Sequence, residues 1–251
     1  MNPMDHGRNA CGLEPIAVVH TCYGDKFGVP RQPGLAPSAW GRLVFHPPFR
    51  HPDALRGLDG FSHVWLIWHF HQTAARGWSP TVRPPRLGGN ARVGVFASRS
   101  THRPNALGLT LARLEGVDPE TPEGPVLWLG GLDLIDGTPV FDIKPHLPYA
   151  ESPADARAGF AATDIPRLEV STHPAATATF DALHPRARAV VRESLALDPR
   201  PATARSKNAA DDRLHGVHLC GHNIRFRIHG GQCEIVEITP ATGAGDRQPP
   251  H

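Results

Sequence analysis

Residues 63–71 have the sequence His63-Val-Trp-Leu-Ile-Trp-His-Phe-His71, which is rich in β-branched and aromatic side chains. Such residues favour strands, and a strand directs alternate side chains to opposite faces. One face then carries His63, Trp65, Ile67, His69 and His71, and the other carries Val64, Leu66, Trp68 and Phe70. The pattern predicts a long central β-strand.

Shorter apolar runs on both sides of this stretch predict further strands. They lie at 15–19, 43–45, 91–97, 107–114, 126–129 and 140–143. Turns rich in glycine and proline join them, which favours a barrel or sandwich over a parallel α/β sheet. No Gly-x-Gly-x-x-Gly motif follows a predicted strand, so a Rossmann cofactor site is not supported. We therefore expect a mainly β fold.

The composition changes after Ser152. The segment 154–179 is rich in Ala, Pro, Thr and Asp without clear periodicity, and it predicts a linker. The segment 186–197 predicts a helix, which ends before Asp198-Pro-Arg-Pro201 because proline cannot continue a helix. Alternation on both sides of Gly230-Gly231 predicts a β-hairpin. A first domain should therefore end near residue 152 and be followed by a small α+β region.

Length and composition indicate a globular protein. The 251 residues, 40% of them hydrophobic, suit one main domain with an appendage. No segment has the apolar length of a membrane span, and the N-terminus lacks the pattern of an export signal. The four cysteines form no Cys-x-x-Cys pair, which disfavours a thiolate zinc site. We expect a cytoplasmic protein.

The net charge is only +2, but the charges are sorted along the chain. The stretch 60–114 has no acidic residue and seven arginines, at positions 76, 83, 86, 92, 99, 103 and 113. The stretch 115–143 has seven acidic residues and no Lys or Arg. Two interpretations stay open: the stretches neutralise each other, or the arginines meet an anionic ligand.

The histidines of the central strand raise the alternative of a metal site. A His-x-His pair on a strand can give two imidazole ligands to one ion, and His63, His69 and His71 share the predicted face. Related β-barrel metal sites add a nearby glutamate, whereas the next acidic residue is Glu115. We therefore expect no metal and histidines satisfied by hydrogen bonds.

The strongest candidate for a binding loop is arginine-rich. Arg83-Pro-Pro-Arg-Leu-Gly-Gly-Asn90 is followed by Val95-Phe-Ala-Ser-Arg-Ser-Thr-His-Arg-Pro-Asn105. Paired glycines allow close approach of a ligand or backbone, and polar side chains that converge on loops are where binding usually occurs. A solvated surface turn is the competing interpretation.

Together with the stretches 83–90 and 95–105, several further motifs resemble the TrmO family of S-adenosylmethionine-dependent tRNA methyltransferases. They are Val29-Pro-Arg-Gln-Pro-Gly-Leu35, Asp59-Gly-Phe-Ser-His63, Phe70-His-Gln72, Leu132-Asp-Leu-Ile-Asp-Gly-Thr-Pro139 and Asp142-Ile-Lys-Pro145. The resemblance implies methylation of N6 of threonylcarbamoyladenosine at position 37 of tRNA. It also implies a homodimer, with an antiparallel single-sheeted β-barrel at 13–153 (the TsaA-like domain) and a small α+β domain at 180–240 that helps recognise tRNA.

Carried onto this sequence, the family's motifs imply a set of residues that bind S-adenosylmethionine. These residues are Arg31, Gln32, Pro33, His71, Gln72, Arg99, Leu109, Gly130, Gly131, Leu132 and Asp133. One departure concerns tRNA recognition: the family has an aromatic residue after Asp198-Pro-Arg-Pro-Ala202, whereas Thr203 stands here.

Methyl transfer to nitrogen is an in-line displacement that depends mainly on alignment of the reactants. The acceptor N6 carries a hydrogen, so a base nearby should help, and Asp133 and Asp136 are the candidates. For Asp136 a role in the turn with Gly137 is equally open. Two other functions stay open: a non-catalytic RNA-binding module, or a metal-dependent barrel enzyme using His63, His69 and His71.

Overall fold

The structure, a computed structural model, describes residues 12–88, 90–200 and 213–241. Its first eight strands are β1 (Ala17–Thr21), β2 (Trp40–Phe45), β3 (His63–His69), β4 (Thr81–Val82), β5 (Val93–Gly94), β6 (Leu107–Asp118), β7 (Val126–Gly130) and β8 (Thr138–Pro145). Six of them form a closed antiparallel barrel in the order β1-β2-β7-β6-β3-β8, with β8 pairing to β1. β4 and β5 form a small ribbon within the arginine-rich loop. The mainly β prediction is confirmed.

The barrel interior follows from the alternation along β3. Val64, Leu66 and Trp68 are buried, whereas the residues between them are only half-buried. Space for the Trp68 indole comes from the opposing strand, because a Cβ at Gly108 would lie 2.3 Å from the ring. β3 is two residues shorter than predicted: the chain turns at His71, whose N–H bonds to the His69 carbonyl (2.7 Å). The predicted strand 91–97 is also shorter, because 3₁₀ turn 95–97 follows β5.

The C-terminal region combines a four-stranded sheet with helices. Its strands are β9 (Glu169–Thr172), β10 (His215–Leu219), β11 (His222–His229) and β12 (Gln232–Pro240), in the order β10-β11-β12-β9. The helices are α1 (Pro148–Glu151), which directly follows the barrel, α2 (Pro174–Ala182) and α3 (Pro185–Ala196). The predicted hairpin is β11 and β12, and the predicted helix is α3, so both expectations are confirmed. No helix within the described ranges is long and apolar enough to cross a bilayer.

The predicted linker 154–179 is wrong over its last part, because β9 and α2 begin before residue 180. β9 takes its hydrogen bonds from β12, pairing parallel to it from Glu169 opposite Gln232. This partner is more than 60 residues away in sequence, so no local pattern indicates it. α2 buries only Ala176 and Phe180, which is too few apolar positions for a visible period.

The two regions share one hydrophobic cluster. Tyr23, Ala39 and Trp40, from the segment that leaves β1 and enters β2, pack in the same cluster as α3 and the C-terminal sheet. A backbone hydrogen bond also links the two regions: the Cys220 N–H donates to the Cys22 carbonyl (2.7 Å). Segment 22–40 is therefore held by the C-terminal region. It carries the motif Val29–Leu35 with Arg31 and Gln32, called the first binding loop from here on.

Candidate active site

The segment 130–133 after β7 turns sharply at the end of the barrel. Gly131 has φ +67°, in the left-handed region that favours glycine. Its N–H donates to the Ala39 carbonyl, and its own carbonyl accepts from the Gly34 N–H, both at 2.8 Å. These bonds fix the segment against the first binding loop and leave Leu132 fully buried in the barrel core.

Asp133 ends a chain of buried hydrogen bonds that starts inside the barrel. The Trp68 indole N–H donates to Thr110 Oγ1 (2.9 Å), and the Thr110 hydroxyl donates to Asp133 Oδ1 (2.7 Å). Thr110 itself is completely buried. Because Trp68 uses the oxygen of Thr110 as acceptor, the hydroxyl proton is directed at the carboxylate, and the orientation of Asp133 is set by two strands.

Burial raises the pKa of Asp133 to about 6, the dominant effect of moving a carboxylate out of water. Three weaker influences lower the pKa: the hydrogen bond from Thr110, a backbone hydrogen bond and the charge of Arg99. Asp133 is therefore a half-buried carboxylate that takes up a proton near pH 6 and is mostly ionised at pH 7. Groups with such properties concentrate at functional sites.

Arg99 brings the arginine-rich loop to this carboxylate. Its guanidinium donates to Gln32 Oε1 (2.7 Å), and its charge acts on Asp133. The loop is ordered by its own side chains: Arg103 donates to the carbonyl of Ser98 (2.7 Å), and the Ser98 hydroxyl donates to the carbonyl of Val95 (2.8 Å). The crowding of polar residues here therefore serves mainly to shape the loop that presents Arg99.

The structure thus brings four predicted site residues together: Gln32, Arg99, Gly131 and Asp133. Gly130 is at the end of β7, where a Cβ would meet the Arg113–Glu115 ion pair, so that pair accounts for the glycine. Pro33 is in the turn after Gln32, and His71 and Gln72 lie in the turn after β3.

Leu109 and Arg31 lie in two different environments, the outer surface of the barrel and a cavity. Leu109 is 51% exposed on the outer side of β6, because its neighbours Gly108 and Thr110 take the inward positions. The side chain of Arg31 lines a cavity with Asp198 at the junction with the C-terminal region.

Asp136 has structural partners. Its carboxylate accepts from the Thr21 N–H (3.0 Å) and lies 3.4 Å from His20, while its own N–H donates to the Tyr23 carbonyl. These bonds tie the turn at Gly137 to β1. The geometry favours the turn role over catalysis at this position.

The three histidines of the metal alternative are not brought together. His63 and His69 stand at opposite ends of β3, about 20 Å apart for six residues of strand. His63 contacts Ser62 and His146, and His69 contacts Phe141. Within the described parts of the chain, no group of three His, Cys, Asp or Glu side chains is placed to hold a metal ion.

Sequence reasoning missed Thr110 and Trp68. The inward positions of β6 include Gly108, Thr110 and Ala112. Thr110 is the one hydroxyl among these three small residues, and this pattern is the sequence feature that indicates a buried polar contact. A buried hydroxyl requires a partner, which here is Asp133. Thr203, the departure from the family pattern, lies outside the described residues.

Comparisons with known proteins agree with this arrangement. Residues 18–152 match the family tRNA-methyltransferase O N-terminal domain, and residues 165–241 match the TrmO C-terminal domain. The chain is 45% identical over 233 residues to tRNA (adenine(37)-N6)-methyltransferase of Escherichia coli, covering 91% of this chain and 97% of that protein.

A second relative and a solved structure extend the match. The chain is 42% identical over 235 residues to a putative S-adenosylmethionine-dependent methyltransferase of Pseudomonas aeruginosa, covering 92% of this chain and 97% of that protein. The crystal structure of TrmO from Pseudomonas aeruginosa superimposes with a TM-score of 0.72 at 36% identity, covering 90% of this chain and 97% of the other. The predicted resemblance is confirmed, and the chain belongs to the TrmO family.

Proposed function

We propose that this protein uses S-adenosylmethionine to methylate N6 of adenine 37 in tRNA, with threonylcarbamoyladenosine as the accepted form of that base. The observation that carries the proposal is Asp133, a half-buried carboxylate with a pKa of about 6, beside Arg99 at the end of the barrel. Its E. coli relative is named for adenine-37 N6 methylation.

The residues present suit the methyl donor. When bound, S-adenosylmethionine supplies an electrophilic methyl group on a positively charged sulfonium. The charge of Asp133 complements such a cation, and Gln32 and the Gly131 backbone lie in the same site. A small number of placed polar groups, such as backbone amides and one charged side chain, is typical of a small-molecule site.

The chain also supplies a proton acceptor. N6 loses a proton when it gains a methyl group, and Asp133 is the carboxylate within this site that can accept that proton. With a pKa of about 6 it is mostly ionised at pH 7 and yet basic enough to accept, which is the range where general bases are most effective. Asp136 is bound to β1 and is the less suitable base.

Two measurements test this function. Titration calorimetry with S-adenosylmethionine should show binding, and nucleoside mass analysis of tRNA incubated with the protein and donor should show one added methyl on the modified adenosine. RNA binding without donor binding would instead support a non-catalytic RNA-binding module. Activity lost with a chelator and restored by a divalent ion would support a metal enzyme; we expect no effect of EDTA.

We also propose that the protein acts as a homodimer. The outer face of β3, β6 and β8 exposes Leu109 and leaves Trp65, Ile67 and Phe141 only half-buried, an apolar surface across three neighbouring strands. Leu109 and Thr110 point to opposite sides of the barrel wall, so Leu109 reaches a cofactor site only if a second copy completes it. Leu109→Lys should lower the mass measured by light scattering from that of a dimer to that of a monomer.

The division into domains at 13–153 and 180–240 and the cytoplasmic location remain predictions. The observed packing suggests that the C-terminal unit also includes β9 and α2. We assign tRNA recognition to this unit, since the residues of the candidate active site come from the barrel and its loops.

A further inference from the structure

A cavity of about 250 Å³ lies where the first binding loop meets the C-terminal region. One wall is formed by residues 26–31 and the other by the end of α3 with residues 197–200. The charged side chains in its lining are Lys26, Arg31, Asp198 and Arg200. The cavity is therefore separate from the Asp133 site, although Arg31 is adjacent in sequence to Gln32, which contacts Arg99.

The loop that forms one side of the cavity is held against the C-terminal sheet. Gly28 packs so closely on the C-terminal sheet that a Cβ there would lie 2.5 Å from a methyl carbon of Leu219. Asp25 accepts hydrogen bonds from the N–H of Phe27 (2.8 Å) and from the N–H of His218 (3.0 Å). The loop that carries Lys26 and Arg31 is thus built onto the C-terminal sheet, so its cations are positioned before any ligand arrives.

The cavity carries an excess of positive charge. Asp198 forms a two-point ion pair with Arg200, with both N···O distances at 2.8 Å, and Arg200 is 8% exposed. Lys26 lies 5.1 Å from the centre of the Phe27 ring. Within the described parts of the chain, no carboxylate forms an ion pair with Lys26 or with Arg31.

Burial lowers the pKa of Arg31, and the charge of Asp198 only partly opposes this effect. A guanidinium that is partly removed from water and has no bound carboxylate is stabilised by an incoming anion. Lys26 is exposed and adds a second positive charge to the lining of the cavity. The site therefore has the charge, the shape and the fixed geometry expected for an oxyanion.

We propose that this cavity binds a backbone phosphate of the tRNA substrate. The proposal rests on the proposed function for the presence of tRNA. The volume is below the 300–1,000 Å³ usual for whole small-molecule ligands, so it suits a phosphate group with part of its sugar. Phosphate contacts of this kind fix the register of a nucleic acid on a protein without reading its bases.

The test uses Lys26→Ala and Lys26→Glu, because Lys26 is exposed and lies outside the candidate active site. The matched control is Arg157→Ala, an exposed arginine in the segment after α1 that does not line the cavity. Affinity for tRNA is measured by fluorescence anisotropy between 50 and 300 mM KCl, for tRNA with threonylcarbamoyladenosine and for the unmodified transcript. Donor affinity is measured by calorimetry.

Lys26→Ala should weaken binding of both tRNAs severalfold and reduce the slope of log affinity against log salt by about one. Lys26→Glu should weaken binding further, while tRNA binding by Arg157→Ala and the donor affinities of all three variants stay at the wild-type values. An unchanged salt slope in both Lys26 variants would overturn the proposal. A loss confined to the modified tRNA would also overturn it, because the ligand would then be the carboxylate of the threonyl group.

These outcomes are separable from failure of the proposed function. A wild-type protein that binds tRNA but neither binds nor consumes the methyl donor would contradict the methyltransferase proposal. The salt slopes of the Lys26 variants would still test the phosphate site.

Discussion

The Asp133 site and the Lys26–Arg31 cavity both hold charge that is partly removed from water, but the signs are opposite. Desolvation raises the pKa of Asp133 and lowers the pKa of Arg31, so each group is less stable as an ion here than in water. The first site suits a cation or a proton, and the second suits an anion. If both proposals hold, the donor with its positive charge and the polyanionic acceptor are bound by separate parts of the fold.

The effect of Asp133 on stability has a definite sign. Its pKa rises from 3.8 to about 6, which corresponds to roughly 3 kcal/mol of unfavourable free energy when the group is ionised in the folded state. Because the folded pKa is raised, this cost is absent below about pH 4 and is complete above about pH 6. The fold therefore carries a destabilising carboxylate at neutral pH, as expected for a functional group.

The largest effect should come from Asp133→Asn, which keeps the size of the side chain and removes the charge. We expect the methylation rate to fall by about 10²- to 10⁴-fold, the usual contribution of a general base. Stability at pH 8 should increase by up to about 3 kcal/mol, with little gain at pH 4. Single-turnover rates and thermal unfolding at the two pH values check both effects. A variant that is inactive and less stable at pH 8 would contradict this account of the carboxylate.

Arg99→Ala should have the second-largest effect. The change removes the bond to Gln32 and the positive charge that lowers the pKa of Asp133. We expect donor or tRNA affinity to fall about tenfold or more, because charge-assisted bonds contribute about 1.5–3 kcal/mol. The fold should be retained, since Arg99 is exposed. Arg92→Ala, in the same loop and also exposed, is the control and should keep the donor affinity of the wild type. An unfolded Arg99→Ala protein would overturn the functional role.

Thr110→Val tests the hydrogen-bond chain from inside the barrel. Loss of the hydroxyl removes a bond that lowers the pKa of Asp133, so the acid limb of the pH–rate profile should move to higher pH. The Trp68 N–H also loses its acceptor, at a cost of about 1–3 kcal/mol in stability. Thr110→Ser keeps the hydroxyl and should restore the profile. If both variants shift the profile equally, the hydroxyl does not orient Asp133.

The smallest effect is expected at the C-terminal hairpin. Arg225 and Arg227 are exposed on β11, but Arg225 already lies 3.4 Å from Glu237. The double change to Ala should reduce the salt slope of tRNA binding by at most about two, and by less if Glu237 keeps Arg225 from a phosphate. Donor affinity should stay constant. An unchanged slope would assign the hairpin to ordinary solvated surface and leave tRNA contact to the cavity and the arginine-rich loop.

The sequence predicted the parts of the fold that have strong local signals. β3 shows the period of two, α3 ends before Asp198-Pro-Arg-Pro201, and the hairpin turns at Gly230-Gly231. β9 and α2 were missed because parallel pairing with β12 and a shared cluster with β1–β2 residues stabilise them. Those interactions join distant parts of the chain, so a window of neighbouring residues does not contain them.

The sequence indicated only part of the candidate site, because some of its contacts also join distant parts of the chain. Motif resemblance indicated Gln32, Arg99, Gly131 and Asp133, and the fold places them together. The orientation of Asp133 depends on Thr110 and Trp68 from two other strands, which no motif connects. Arg31 and Gln32 are neighbours in one motif but face different sites, and only side-chain direction separates them.

The most direct test of the central claim is the pH dependence of single-turnover methylation on tRNA that carries threonylcarbamoyladenosine, with the product identified by nucleoside mass analysis. The account predicts that the rate rises with pH through an apparent pKa of about 6 and then levels off, because Asp133 must be ionised to accept the proton. A rate that stays constant from pH 5 to pH 8 would contradict Asp133 as the base.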